Sequence, residues 1–225
     1  MQNEPSGNAA QSGTLKRELY FPTLIYHVDL PGSDELNSSV KARIYTLRTE
    51  DRDGIVRSNM QQVGSWHSRL DLHQQEDFGP IANAILQNVQ RVFGDLGYDQ
   101  RYEAVFDNFW ANINPKYGYN RNHIHPNVLW SGVYYVQAPA DSGRIFFSDP
   151  RAQALVLTPR YTPDVPRKPE VWPEVYFEPV EGRLILFPAW LTHEVEPNMS
   201  NSNGAEGDRI SISFNVRQVL RSPAE

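Results

Sequence analysis

From Asp99 to about Leu220 the chain abandons helical periodicity for short β-rich runs cut by clusters of Gly, Pro, Asn and Asp. Eight or so such runs suit a two-sheet jelly roll or cupin-like barrel, an architecture that protects its edges by pairing two sheets. Strands are expected within AVFDNFWANI, LWSGVYYVQA, GRIFFSD, ALVLTP, EVYFEPV, GRLILFP, HEVEP and RISISFNVRQV. The segment 158–173, TPRYTPDVPRKPEVWP, interrupts the series. Its five prolines forbid a central strand and predict a long loop at one mouth of the barrel, either a lid or a surface excursion.

The N-terminal part reads differently. Residues 1–14 are rich in Gln, Asn, Ser and Gly, carry little to bury, and are expected to be a flexible terminus. The aromatic and β-branched run LYFPTLIYHVDL predicts a strand, and Pro22 favours an edge position. Ser33 is a candidate N-cap for a helix carrying Leu36, Val40, Ile44 and Leu47 at helical spacing and stopping near Asp53-Gly54. A second helix has Pro80 near its start and Gly97 near its end, with Ile81, Ile85, Val89, Val92, Phe93 and Leu96 as a core-facing stripe. The chain thus reads as mainly β with N-terminal helices: a strand and helices over 15–100 packed on a β core over 101–220.

Composition narrows the chemistry. Zero cysteines exclude disulfides, thiolate metal sites, iron–sulfur clusters and a cysteine nucleophile, and fit a reducing cytosol. Any metal must therefore sit on His and carboxylate. A formal charge of −6 gives no electrostatic drive toward nucleic acid or anionic lipid, and no apolar run approaches a membrane span. A cytoplasmic protein with no membrane partner is the expectation.

Of the six histidines, His123 and His125 in NRNHIHPN form a spaced pair. On an extended chain residues i and i+2 project to one face, so both imidazoles can meet one ion while Ile124 turns away into packing. The same spacing also suits two hydrogen-bonded structural histidines. His193, opening a strand after the apolar run GRLILFP, offers a third ligand across the barrel. In RISISFNV, alternation puts Arg209, Ser211 and Ser213 on one face and Ile210, Ile212 and Phe214 on the other. An inward guanidinium matches a carboxylate, and a serine two residues on can add a hydrogen bond; a surface arginine is the bland alternative.

Taken in order, HIHPN, SGVYYVQAP, GRIFF, GRLILFPAWLTHEVEP and RISISFNV resemble the motifs of the iron(II)- and 2-oxoglutarate-dependent dioxygenases, especially the prolyl-hydroxylase-like branch. The resemblance covers roughly residues 105–219. It implies a double-stranded β-helix core, Fe(II) held by His123, His125 and His193, and Arg209 receiving the distal carboxylate of 2-oxoglutarate with Ser211 and Tyr135. The activity implied is hydroxylation with O₂, coupled to decarboxylation of 2-oxoglutarate to succinate. Position 125 departs from the family, which most often has Asp or Glu there. Three imidazoles leave Fe(II) at +2, which a dianionic 2-oxoglutarate neutralises. A carboxylate from elsewhere is the other option: Asp149 in FFSDPR is the nearest, whereas Glu194 should face away from His193.

Asn112 and Asn114, on one face with Trp110, either orient ligands around the ion or form the turn at Pro115. Tyr117, Tyr119, Asn120 and Arg121 crowd the histidine pair, and Trp190 is a candidate for closing the mouth. The stretch 58–72, with Trp66 and His67, is either a substrate-facing or an ordinary loop. Two other readings stay open: a cupin-like three-His protein holding Fe, Mn, Ni or Zn without 2-oxoglutarate, and a jelly-roll binding module with incidental histidines. The substrate, whether small molecule, protein or peptide, is not legible, because loops rather than motifs contact it. The apolar edge near Leu19 to Val28 suggests a homodimer.

Overall fold

The computed structural model describes residues 14–221. The expected flexible terminus, apart from Thr14, therefore lies outside the described residues. The elements are β1 (Tyr26–Asp29), α1 (Ser33–Glu50), α2 (Asp53–Arg57), β2 (Trp66–His67), α3 (Gly79–Asp95), β3 (Tyr102–Asn114), β4 (Asn120–His123), β5 (Trp130–Gln137), β6 (Ile145–Ser148), β7 (Glu174–Phe177), β8 (Arg183–Pro188), β9 (His193–Val195) and β10 (Arg209–Leu220). Short 3-10 turns connect several of them.

Two antiparallel sheets form. The larger runs β1-β8-β5-β10-β3-β2 and the smaller β4-β9-β6-β7, so consecutive strands alternate between sheets through most of the core. This is the double-stranded β-helix, with β1 and β2 extending the larger sheet at its two edges.

Alternation along β10 sets the layers. Ile210, Ile212, Phe214 and Val216 enter a dry core with Phe109, Ala111 and Ile113 of β3, and with Ile81, Ile85, Val89 and Phe93 from the predicted stripe of α3. The opposite face of the same sheet looks into the barrel, where Val133, Tyr135, Ile185 and Phe187 meet Ile145 and Phe147 of the smaller sheet. Gly132 is required between these layers: a Cβ there would lie 2.3 Å from the Phe214 ring and 2.7 Å from the Ile185 carbonyl oxygen.

Several expectations are corrected. Of the run LYFPTLIYHVDL only Tyr26–Asp29 is strand, at the edge of the sheet, because the residues before it find no partner strand. ALVLTP is not a strand: Ala152–Leu155 is a 3-10 turn, and Val156 and Leu157 are exposed. Its apolar composition mimics a strand, but it pairs with no other segment. The first helix starts one residue earlier than a Ser33 cap implies, with Gly32 in the left-handed region before it, and ends at Glu50, α2 following as a separate turn and a half. Residues 58–72 hold β2 and two 3-10 turns; Trp66 is core, its indole N–H donating to the Asp51 carbonyl. Among the described residues no helix is long and apolar enough to cross a membrane.

Candidate metal centre

His123 ends β4 and His193 opens β9, and the two are register partners across the smaller sheet. Antiparallel pairing thus brings their rings to 4.2 Å between centroids. His125 follows two residues later, outside the strand. Its backbone N–H donates to the Ala189 carbonyl at 2.9 Å, and its ring lies parallel to His193, 5.1 Å away and 8° from coplanar orientation. The pair therefore does not converge by strand alternation: Ile124 is 49% exposed rather than packed, and the turn into β5 aims His125.

One ligand atom from each ring lies within 4.8 Å of the other two, and among the described residues these three form the one such group of His, Asp or Glu. Nδ1 of His123 meets the Arg121 carbonyl at 2.6 Å and Nδ1 of His193 meets the Leu191 carbonyl at 2.9 Å. A carbonyl only accepts, so both Nδ1 atoms carry hydrogen and both Nε2 lone pairs are free. Nε2 of His125 lies 3.3 Å from Nε2 of His193. Burial, reinforced by His123, pushes His125 down to about 4 and His193 to about 3, so both rings are neutral at physiological pH. Converging imidazoles, two of them with the tautomer fixed by a backbone carbonyl, are a donor set a borderline divalent metal takes.

The rings open onto a small cavity of about 50 Å³ inside the barrel, enough for a few water-sized groups. Trp110, Asn112 and Asn114 of β3 line it, as do Asn120, Tyr135, Arg209, Ser211 and Ser213. Asn112 and Asn114 are thus buried in the inner wall and do not serve as turn formers; Asn112 Nδ2 donates to Ser213 Oγ at 3.2 Å. Arg209 is 1% exposed. Its guanidinium donates to the backbone carbonyls of Glu196 (3.0 Å), Gly143 (3.4 Å), Gly118 (3.4 Å) and Ser142 rather than to a carboxylate. Burial pushes its pKa down to about 10, which still leaves a cation at neutral pH. Gly143 makes room for it: at φ +94° a Cβ would lie 2.7 Å from Nη1. The Tyr135 hydroxyl is buried without a hydrogen-bond partner, and burial raises it to about 12, so it remains an O–H donor.

Other candidates fall outside this group. Asp149 binds Arg151 through both oxygens, at 2.9 and 2.8 Å, and also caps the Arg151 backbone N–H. Glu194 is exposed on the outer face of β9, as alternation predicts. Trp190 is 54% exposed and is not among the cavity-lining residues, nor are Tyr117, Tyr119 and Arg121. The Pro-rich loop lines a separate hollow of about 330 Å³ with residues 19–23, behind Phe147 and Leu191. Sequence reasoning missed Ser213 as a partner of Asn112, although its place on the Arg209 face was visible, and it missed the stacking of His67 on Trp110, which cross-strand register alone creates.

Residues 108–215 match the family model described as "Putative 2OG-Fe(II) oxygenase". Over that stretch, just under half of its length, the chain is similar to the 2OG-Fe(II) oxygenase superfamily. Enzymes of this superfamily use Fe(II), 2-oxoglutarate and O₂. The fold is shared with a Pseudomonas putida prolyl-4-hydroxylase (18% identity, 87% of this chain and 93% of that one, TM-score 0.53). It is shared too with a Trichoplax adhaerens prolyl hydroxylase solved with a fragment of hypoxia inducible factor (14%, 86% and 83%, 0.55). A third similar structure is the epimerase SnoN in complex with Fe³⁺, α-ketoglutarate and a nogalamycin compound (13%, 89% and 82%, 0.59). No curated protein sequence matches the chain.

Proposed function

We propose that this oxygenase is a hydroxylase whose Fe(II) is held by His123, His125 and His193 and whose 2-oxoglutarate is received by Arg209, Tyr135 and Ser211. One observation carries the reading: three converging imidazoles and a buried, carboxylate-free guanidinium face the same small cavity. When bound, the ferrous ion and 2-oxoglutarate supply O₂ chemistry in which the co-substrate becomes succinate and CO₂ and a substrate C–H bond is hydroxylated.

The chain's own share is electrostatic and positional. Arg209 offers a fixed positive charge in a low-dielectric wall, where a carboxylate is bound far more strongly than in water. Its carbonyl partners hold the fork in place, so little reorganisation accompanies binding. The Tyr135 O–H and the Ser211 hydroxyl, on adjacent paired strands, supply the further donors that a carboxylate accepts. The Arg121 and Leu191 carbonyls keep Nε2 of His123 and His193 available to the metal. With three neutral ligands the metal keeps both positive charges, and a dianion cancels them. Phe147 and Phe187, packed at 6.0 and 4.6 Å from His193, keep water from that side of the centre. The cysteine-free composition supports work in a reducing cytosol.

Anaerobic titration of the metal-free protein with Fe(II) and then 2-oxoglutarate tests the assignment. A weak visible charge-transfer band, followed by Fe(II)-dependent succinate formation in air, is expected. A protein that binds Fe(II) but shows neither band nor succinate is a three-His metalloprotein of another kind.

A further inference from the structure

We propose that Trp110, locked in place by His67, is the positioning element for His125, and that it compensates for the imidazole standing where a carboxylate is usual. The inference rests on the reading of His125 as a ligand. His123 and His193 each have a ring nitrogen anchored to a backbone carbonyl, whereas the ring of His125 has no such anchor among the described residues. What borders it instead is flat aromatic surface. The Trp110 ring lies 6.1 Å away at 30°, the His193 ring 5.1 Å away at 8°, and the His123 ring 5.0 Å away at 55°.

Trp110 is itself held. His67 stacks on it at 5.7 Å and 11°, and the His67 ring is tied by Nδ1 to the Ser68 carbonyl at 2.6 Å. Ser68 then grips the residue after Trp110 from both sides: its N–H donates to the Ala111 carbonyl at 3.0 Å, and its hydroxyl accepts from the Ala111 N–H at 2.9 Å. The result is a ladder of neighbouring rings, His67, Trp110, His125 and His193, tied at its outer end to an edge strand.

The physical need follows from ligand shape. A carboxylate ligand is oriented by the hydrogen bonds its second oxygen accepts; an imidazole without an anchored nitrogen spins about its Cβ–Cγ bond unless its faces are confined. Confining it in advance removes that rotational freedom before metal arrives, so less affinity is lost on binding.

Co(II) titration of the full-length metal-free protein, following dissociation constant and visible d–d spectrum, separates this role from a merely structural one. Trp110→Leu should weaken Co(II) binding about 10-fold, the range of outer-shell partners, and broaden the spectrum. In a His125→Asp background the same substitution should change the dissociation constant less than about 2-fold, because the carboxylate has no ring to confine. His67→Ala should show the same pattern at smaller size, and it carries the comparison if Trp110→Leu does not fold. Equal losses in both backgrounds, or no loss in either, overturn the proposal. Unchanged Co(II) affinity in His125→Ala would instead remove His125 from the ligand set.

Discussion

The two faces of β10 are built from alternate residues of one strand, yet they serve opposite ends. Ile210, Ile212, Phe214 and Val216 are fully buried against apolar neighbours. Arg209, Ser211, Ser213 and Asn215, facing the barrel, are also mostly buried but polar. Burial of polar groups costs free energy that the apolar face must offset. The contrast teaches that residue parity separates two environments: the outer face holds the sheet against α3, while the inner face places a cation beside the unpartnered Tyr135 hydroxyl of β5 in the cavity wall.

If that division is real, substitutions on the two faces should fail differently. Phe214→Ala should cost about 3–5 kcal/mol of unfolding free energy in urea, the range for a buried aromatic, while the folded fraction keeps its metal affinity. Comparable damage to metal binding would blur the distinction. His193→Ala should do the reverse: metal affinity falls by more than about 100-fold, beyond the range of outer-shell partners, with the denaturation midpoint little changed. Isothermal titration and urea melts on the same preparation compare the two directly. Arg209→Ala should raise the 2-oxoglutarate requirement by about 30-fold or more, as for truncation of one partner of a buried charged pair, and leave Fe(II) affinity within about 2-fold.

A further effect is pH-dependent. Because burial holds His125 near 4 and His193 near 3 against an unfolded value of 6.5, the unfolded chain binds more protons between those limits. Stability of the metal-free protein should therefore be complete above pH 6.5 and fall as the pH drops through that window. The slope should reach at most about 1.4 kcal/mol per pH unit for each imidazole. His193→Ala should flatten it; an unchanged slope would mean that other groups dominate acid unfolding.

Much of this architecture is written in local pattern. Period-2 alternation in RISISFNV assigns Arg209 and Phe214 to opposite faces before any fold is known, and the stripe of α3 names its buried side. Both depend only on backbone geometry, which every strand and helix shares. The order of the histidine, glycine-led and arginine segments likewise brings the double-stranded β-helix and the likeness to 2OG-Fe(II) oxygenases within reach of the sequence.

Contacts between segments distant in sequence are a different matter. ALVLTP has a strand's composition but no partner, since pairing is a property of two segments. Ile124 and Trp190 are apolar yet exposed, because a turn or loop rather than a strand carries the chain past the three histidines at both places. Asp149 is adjacent to the right strand, but Arg151 takes its carboxylate. The His67–Trp110–His125 ladder joins residues 43 and 15 positions apart and exists only because β2 pairs with β3 and the β4–β5 turn folds back over them. Side-chain direction is local and therefore legible; which surface meets it depends on chain closure over long loops, and no short-range period encodes that.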